Sequence, residues 1–305
     1  MANYSIGDMI YETRTARGYS QEELGDGLCS PSSLSRIENG QQAPTKRLFD
    51  ALMQRLGVSE SIFSAFISRE EMELYRLTQQ LVWKIEQLDF QECKILTNEL
   101  ESKIQEGNIF ERQYLLFAKA YIAHNEARDY ETALELFVNA IHITIPDFDV
   151  KKGIRRRLLT FTEITIINGI ALTLSSMDDE INALKLLFEL KEYLEEHVID
   201  EEEKAKKYPM IVYNITSILG QRGYHQEVYK LCSEAIMFAT KHNKLIALPY
   251  LLTNKACAAA EMDKFAEAKK CFQQAYILFE VCENESAAYW IKTEASSKYG
   301  IVFEE

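Results

Sequence analysis

SQEELGDGLCSPSSLSRIENG, residues 20–40, carries the start and stop signals of two short helices separated by a tight turn. Ser20 and Glu23 form a capping box. The hydroxyl accepts from a partnerless amide of the first turn, and the carboxylate reaches back to the amide of the cap. Leu24 and Leu28 share one face and predict a helix running to about Leu28. Cys29-Ser30 makes the turn. Ser30 then caps a helix whose first position is Pro31, where a missing N–H costs nothing, and which stops at Asn39-Gly40. Upstream, Ser5 caps a helix through about Ala16, with Gly18 as its left-handed end. Downstream, Thr45 caps a helix with Leu48, Leu52 and Leu56 as its buried stripe; Gly57 ends it, and Phe63 and Phe66 belong to a fifth helix. Five short helices with a tight turn between the second and third follow the helix-turn-helix plan.

The quoted stretch resembles the Cro/C1-repressor-type (XRE) domain, commonly written S-Q-E-E-L-A…L-S-R-I-E-N-G. Between Gln21 and Glu38 it is one residue shorter than most such domains, with Cys29-Ser30 in place of a Gly-x-Ser turn. A shortened turn containing a cysteine resembles the PlcR/Rgg-type regulators, which respond to signalling peptides. The resemblance implies that the third helix enters the major groove and presents Ser32, Ser33 and Arg36 to base edges, with Arg36 suited to guanine. It also implies that Gln21, Asn39, Lys46 and Arg47 steady phosphates, and that Arg14 and Glu38 form a buried structural pair. The plainer reading is a small helical domain whose serines are only caps and whose arginines are solvated.

Composition supports an all-α chain. Its 305 residues suit about two domains. A hydrophobic fraction of 47 % and a charged fraction of 27 % supply a core and argue against wholesale disorder. With 5 prolines and 12 glycines the chain is too poor in turn formers for an all-β protein, while apolar residues recur at spacings of three and four. Met1–Ile10 has no basic stretch followed by an apolar run, so no secretory signal is expected. No segment approaches the ~18–20 apolar residues of a membrane span. The six cysteines (Cys29, Cys93, Cys232, Cys257, Cys271, Cys282) make no CxxC pair and fit reduced thiols of a cytoplasmic protein. The net charge of −13 excludes a general basic field for nucleic acid. Residues 1–68 hold six Lys/Arg and eight Asp/Glu, a net of −2, so DNA contact must come from a local constellation, and a dimer reading a palindromic operator is the usual remedy for the modest affinity of one head.

Beyond about Glu70 the chain repeats. Tetratricopeptide-like units pair two antiparallel helices, with a small residue opening the second and large and small residues four and seven later. YETALELFVNA places Ala133, Phe137 and Ala140 on this pattern, and KFAEAKKCFQQA places Ala268, Phe272 and Ala275. Weaker copies open at Cys93, Ala183 and Val228. The openers lie 40, 50, 45 and 40 residues apart, longer than the family's usual 34. The expected architecture is an N-terminal five-helix helix-turn-helix domain (1–68), a linker helix (69–82), and a right-handed superhelical array of about five helix pairs (83–305) for ligand sensing and dimerisation. Ser286 to Tyr299 resembles a closing helix.

Asn168, Asn214 and Asn254 are spaced by 46 and 40, close to the repeat period, each midway along a predicted first helix. A row of carboxamides, each donor and acceptor, can hold an extended peptide backbone without reading its sequence. The bland alternative is inter-repeat hydrogen bonding. Arg157, in the basic run from Lys151, lies eleven residues before Asn168. On one continuous helix the two would share a face, and Arg157 could receive a ligand carboxylate; a solvated helix start is the alternative. Phe161 and Tyr250 are candidates for side-chain pockets or for core. No phosphate loop, GxSxG, HExxH or metal-spaced Cys/His cluster occurs, so no catalytic residue, metal or cofactor is expected. The whole chain resembles the RRNPP family of cytosolic peptide receptors, which implies a small linear signalling peptide that changes DNA binding by a homodimer. The rivals are a scaffold for a partner protein and repeats that only dimerise.

Overall fold

The computed structural model describes residues 5–58, 69–154 and 157–302. Its helices are α1 (Ile6–Ala16), α2 (Gln21–Gly25), α3 (Pro31–Glu38), α4 (Lys46–Arg55), α5 (Arg69–Glu86), α6 (Phe90–Lys103), α7 (Ile109–Ile122), α8 (Tyr130–His142), α9 (Phe161–Ser176), α10 (Glu180–Glu196), α11 (Glu201–Gln221), α12 (His225–Lys241), α13 (Leu248–Glu261), α14 (Phe265–Val281) and α15 (Glu285–Tyr299). A single π-helical turn, Ala123–Ala127, follows α7. Among the described residues there is no β-strand beyond one isolated bridge, Asp149 to Gly153. The fold class is all-α. The chain falls into two compact units: Met1–Glu189 with His197–Asp200, and Leu190–Glu196 with Glu201–Glu305.

The first four helices begin where their caps place them. Ser5 and Ser20 each complete a capping box, with Asp8 and Glu23 respectively. Ser30 accepts from the amide of Ser33 ahead of Pro31, and Thr45 from that of Leu48. Gly18 and Gly57 adopt φ of +76° and +69° at the ends of α1 and α4. The second helix is shorter than expected, stopping at Gly25 and not near Leu28. Gly27 (φ +69°) turns the chain so closely against the first repeats that a Cβ there would lie 1.8 Å from the carbonyl oxygen of Thr144. A straight continuation of α2 cannot make that approach. The fifth helix expected around Phe63 and Phe66 lies outside the described residues.

Ile10, Leu24, Leu34, Ile37, Leu52 and Leu56 form the head's core, which also takes in Leu158 from the segment before α9. The head and the first repeats therefore share apolar burial inside one unit.

The repeat register read from the openers recurs in the backbone. Leu88, Arg128, Asp178, Gly223 and Asp263 all have positive φ at the turn joining the two helices of a pair. Each stands five residues before an opener, so their spacings are again 40, 50, 45 and 40. The openers Cys93, Ala133, Ala183, Val228 and Ala268 are all buried, because the second helix must pass close to the first. In the second unit Ala256, Ala259, Ala268, Ala275 and Phe272 pack α13 against α14, and Ala288 and Ile291 close the stack from α15. The helix expected as a linker over 69–82 runs on to Glu86 and packs on α6, making it the first helix of the first pair.

Candidate functional site

The first site is the outer face of α3. Leu34, Ile37 and Glu38 point inward; Ser32 and Arg36 are exposed and Ser33 is half-exposed. Ser30, the cap, also binds the hydroxyls of Ser32 and Ser33 at 3.0 Å, and the Arg36 Nη2 lies 3.4 Å from Ser33 Oγ. These short hydroxyls and one long guanidinium thus form a pre-linked row on a single face. Glu38 anchors the helix from below. Arg14 Nε and Nη2 donate to its two carboxylate oxygens at 2.6 and 2.8 Å, a buried bidentate pair, as the resemblance implied. Gln21 donates to the same carboxylate at 2.6 Å, and Asn39, exposed beyond the helix, donates to the carbonyl of Ser35 at 2.8 Å.

Lys46 and Arg47 are placed differently from solvent-facing phosphate contacts. Lys46 Nζ pairs with Asp50 at 2.6 Å, and Arg47 Nε pairs with Glu111 of α7 at 2.8 Å; both cations also lie over the ring of Tyr75. Burial still pushes the Asp50 carboxyl above its ordinary value, against the pull of Lys46. Arg55 pairs with Glu163, and Arg17 donates to the carbonyl of Val198 at 3.1 Å. Of the six head cations, all described, only Arg36 has neither a carboxylate nor a backbone carbonyl as its partner in these contacts. For Lys46 or Arg47 to steady a phosphate, these pairs must open.

The second site is a groove of about 320 Å³ in the second unit, lined by Tyr213 of α11, Tyr250, Thr253 and Asn254 of α13, Phe279 of α14, Asn284 before α15, and Trp290 of α15. The ring of Tyr250 lies 5.2 Å from that of Tyr213, tilted by 51°, and meets Phe279 edge-on at 4.9 Å. Burial raises the Tyr250 hydroxyl above its ordinary pKa, so it is neutral at physiological pH. Among the described residues, no charged side chain lines this groove. Its chemistry is aromatic and carboxamide, suited to an uncharged side chain and a peptide group.

Two of the five residues nominated for the ligand, Tyr250 and Asn254, meet here. Asn254 spends its amide between repeats, donating to Thr216 Oγ1 at 2.9 Å and Ser217 Oγ at 3.0 Å. Asn214 is buried on α11 and is not among the lining residues. Asn168 lies half-buried midway along α9, in the other unit. Arg157 corrects the helical argument made for it. The segment 157–160 is not helical and α9 begins only at Phe161, so Arg157 and Asn168 share no helix face. Its guanidinium pairs instead with Asp147, and with Asp26 at 3.5 Å. Phe161 is core. Tyr213, Phe279, Asn284 and Trp290 were not nominated from sequence; one signal was present, since Trp290 stands 40 residues after Tyr250, one repeat on.

Residues 10–63 match the helix-turn-helix domain family. The chain thus carries a helix-turn-helix domain followed by a helical repeat array. No curated protein sequence matches it significantly. Among solved structures it is similar to PlcR of Bacillus thuringiensis in complex with the peptide PapR7 and DNA, at 19 % identity and a TM-score of 0.62, covering 95 % of this chain and 99 % of that one. It is also similar to ComR from S. thermophilus in complex with DNA and its signalling peptide ComS (16 %, TM-score 0.50, 95 % and 98 % covered). A third likeness is to the Streptococcus dysgalactiae SHP pheromone receptor Rgg2 (13 %, TM-score 0.50, 96 % and 99 % covered). At these identities the likeness shows the shared fold over nearly the whole chain.

Among the described residues no helix is long and apolar enough to cross a membrane, and no cluster of His, Cys, Asp and Glu is placed to hold a metal ion.

Proposed function

We propose that the chain is a cytoplasmic transcription regulator, not an enzyme, that binds double-stranded DNA as a homodimer through α3 and is switched by a short linear signalling peptide bound by its repeats. The observation that carries this reading is one chain holding both an exposed helix-turn-helix reading face and an uncharged aromatic-carboxamide groove between first helices of successive repeats. PlcR and ComR, similar over nearly the whole length, are described in complex with DNA and with a peptide. In this reading residues 1–68 read DNA, 69–82 connect, and 83–305 sense and dimerise. Ser32, Ser33 and Arg36 face bases, and Gln21, Asn39, Lys46 and Arg47 serve phosphates once released from their internal partners. Tyr250 and Asn254 hold the ligand in the groove of the second unit.

The chain has two tryptophans, Trp83 and Trp290, so Trp83→Phe leaves a single reporter at the groove. Titrating this variant with a pool of short linear peptides should change Trp290 emission. Asn254→Ala should abolish that change while helicity and DNA binding persist, at a stability cost of about 1 kcal/mol from the lost inter-repeat bonds. No emission change with any pool would remove the peptide from the reading and leave a regulator whose repeats dimerise or bind proteins.

A further inference from the structure

The turn between α2 and α3 is held by α4 and, through it, from outside the head. Arg55, buried in the last turn of α4, donates through Nη1 to the carbonyls of Leu24, at 3.2 Å, and Asp26. Through Nη2 it donates to Glu163 of α9 at 3.1 Å, and Glu163 has no exposed surface. Glu163 is at the same time the carboxylate of the α9 capping box, accepting from the amide of Thr160 at 2.6 Å. Next to Arg55, Gln54 accepts the first amide of α9, that of Phe161, at 3.0 Å. The last turn of α4 therefore clasps the first turn of α9 at two points.

The same turn is held twice more. Arg157 reaches the Asp26 carboxylate at 3.5 Å, and Gly27 lies against the Thr144 carbonyl at a distance that admits no side chain. Thr144, Arg157 and Glu163 thus reach the α2–α3 turn through backbone contact, an ion pair with the exposed Asp26 and, by way of Arg55, a buried ion pair.

Taking α3 as the DNA-reading helix, we propose that the first turn of α9 sets the shape of the helix-turn-helix turn, with Glu163 acting through Arg55 as a positioning residue for DNA reading. A guanidinium forked onto two carbonyls fixes where α2 ends and α3 begins. Its charge is compensated by a carboxylate that belongs to the repeats. Neutralising that carboxylate leaves Arg55 buried without an opposing charge, and the fork must rearrange toward one. Any displacement of α9 moves the carboxylate and, through it, the angle at which α3 is offered. The array is then coupled to the reading helix within one protomer, independently of how two heads are spaced.

The test is amide hydrogen exchange on the intact chain. In Glu163→Gln the amides of residues 25–33 should exchange faster by on the order of tenfold or more, with α13, α14 and α15 unchanged. Arg157→Ala, at a more exposed position, should loosen the same residues by a smaller factor, and decides the matter if Glu163→Gln does not fold. Glu163→Gln should also lose discrimination between a duplex selected by the wild type and a mixed-sequence duplex, while its affinity for the latter is kept. Unchanged exchange over 25–33 in both variants, or faster exchange confined to α9, overturns the proposal. A wild type that selects no duplex overturns the DNA reading of α3 and leaves the coupling result to stand on exchange alone.

Discussion

In the proposed reading, Arg36 is the side chain on which sequence reading by α3 depends most. It is exposed, its neighbours on that face are short hydroxyls, and a guanidinium is the one group there able to span a guanine edge. Arg36→Ala should cost about 1–3 kcal/mol of discrimination against a single base change while leaving the melting temperature unaltered. Competition binding against point-substituted duplexes measures it, and uniform weakening across all duplexes would reassign Arg36 to the backbone. Glu23 gives a pH-dependent counterpart. Accepting the backbone N–H and hydroxyl of Ser20 holds its carboxyl below the usual 4.5. A depressed folded pKa contributes stability that is present above the unfolded pKa and lost as pH falls through the folded one. Glu23→Gln should therefore be less stable than wild type at neutral pH, with the gap closing below 4.5; a gap independent of pH would show that the carboxylate's charge plays no part. At this level the sequence was legible where partners are near or dictated by the motif, as with Ser20 and Glu23 or Arg14 and Glu38. It was silent where a partner arrives from far along the chain. Nothing adjacent to Arg47 announces Glu111, and nothing adjacent to Arg55 announces Glu163.

Helices proved readable from their punctuation. Ser5, Ser20, Ser30 and Thr45 each cap the helix that follows, because an N-cap answers a local need for an acceptor that four neighbouring amides create. The repeat openers were readable for a related reason, since close helix packing demands a small side chain at a fixed distance from the turn. What local signals could not supply were the end of α2, which Arg55 and Thr144 both meet from far along the chain, and the start of α9, which lies four residues beyond Arg157. Contact between helices can be tested at Gly169 of α9. An added Cβ would sit 2.6 Å from the ring of Phe137, which is fully buried in α8. Gly169→Ala gains helix propensity but must displace that ring, so a net destabilisation of about 1–2 kcal/mol is expected. Chemical denaturation checks it, and a stabilised variant would mean that α8 and α9 pack more loosely than described.

For the chain as a whole, electrostatics constrain how DNA can be bound. A net charge of −13, and a head whose cations are mostly committed to internal partners, leave little for phosphates. Occupancy should therefore rise steeply with chain concentration as two heads engage one symmetric site, and the logarithm of the affinity should fall with the logarithm of salt at a shallow slope set by the few phosphates contacted. The fold of both halves was legible in the sequence, the first from its motif and the second from its period. The groove was half legible. Its Tyr250 and Asn254 lie on the repeat pattern, but Tyr213, Phe279 and Asn284 come to it from positions that only the packing of α11, α13 and α14 defines. The most direct measurement is selection of duplexes from a random pool by the intact protein, with and without a pool of short linear peptides. Enriched sequences with two-fold symmetry are expected, and their recovery should change when the peptides are present. Failure to enrich any sequence under either condition would contradict this reading.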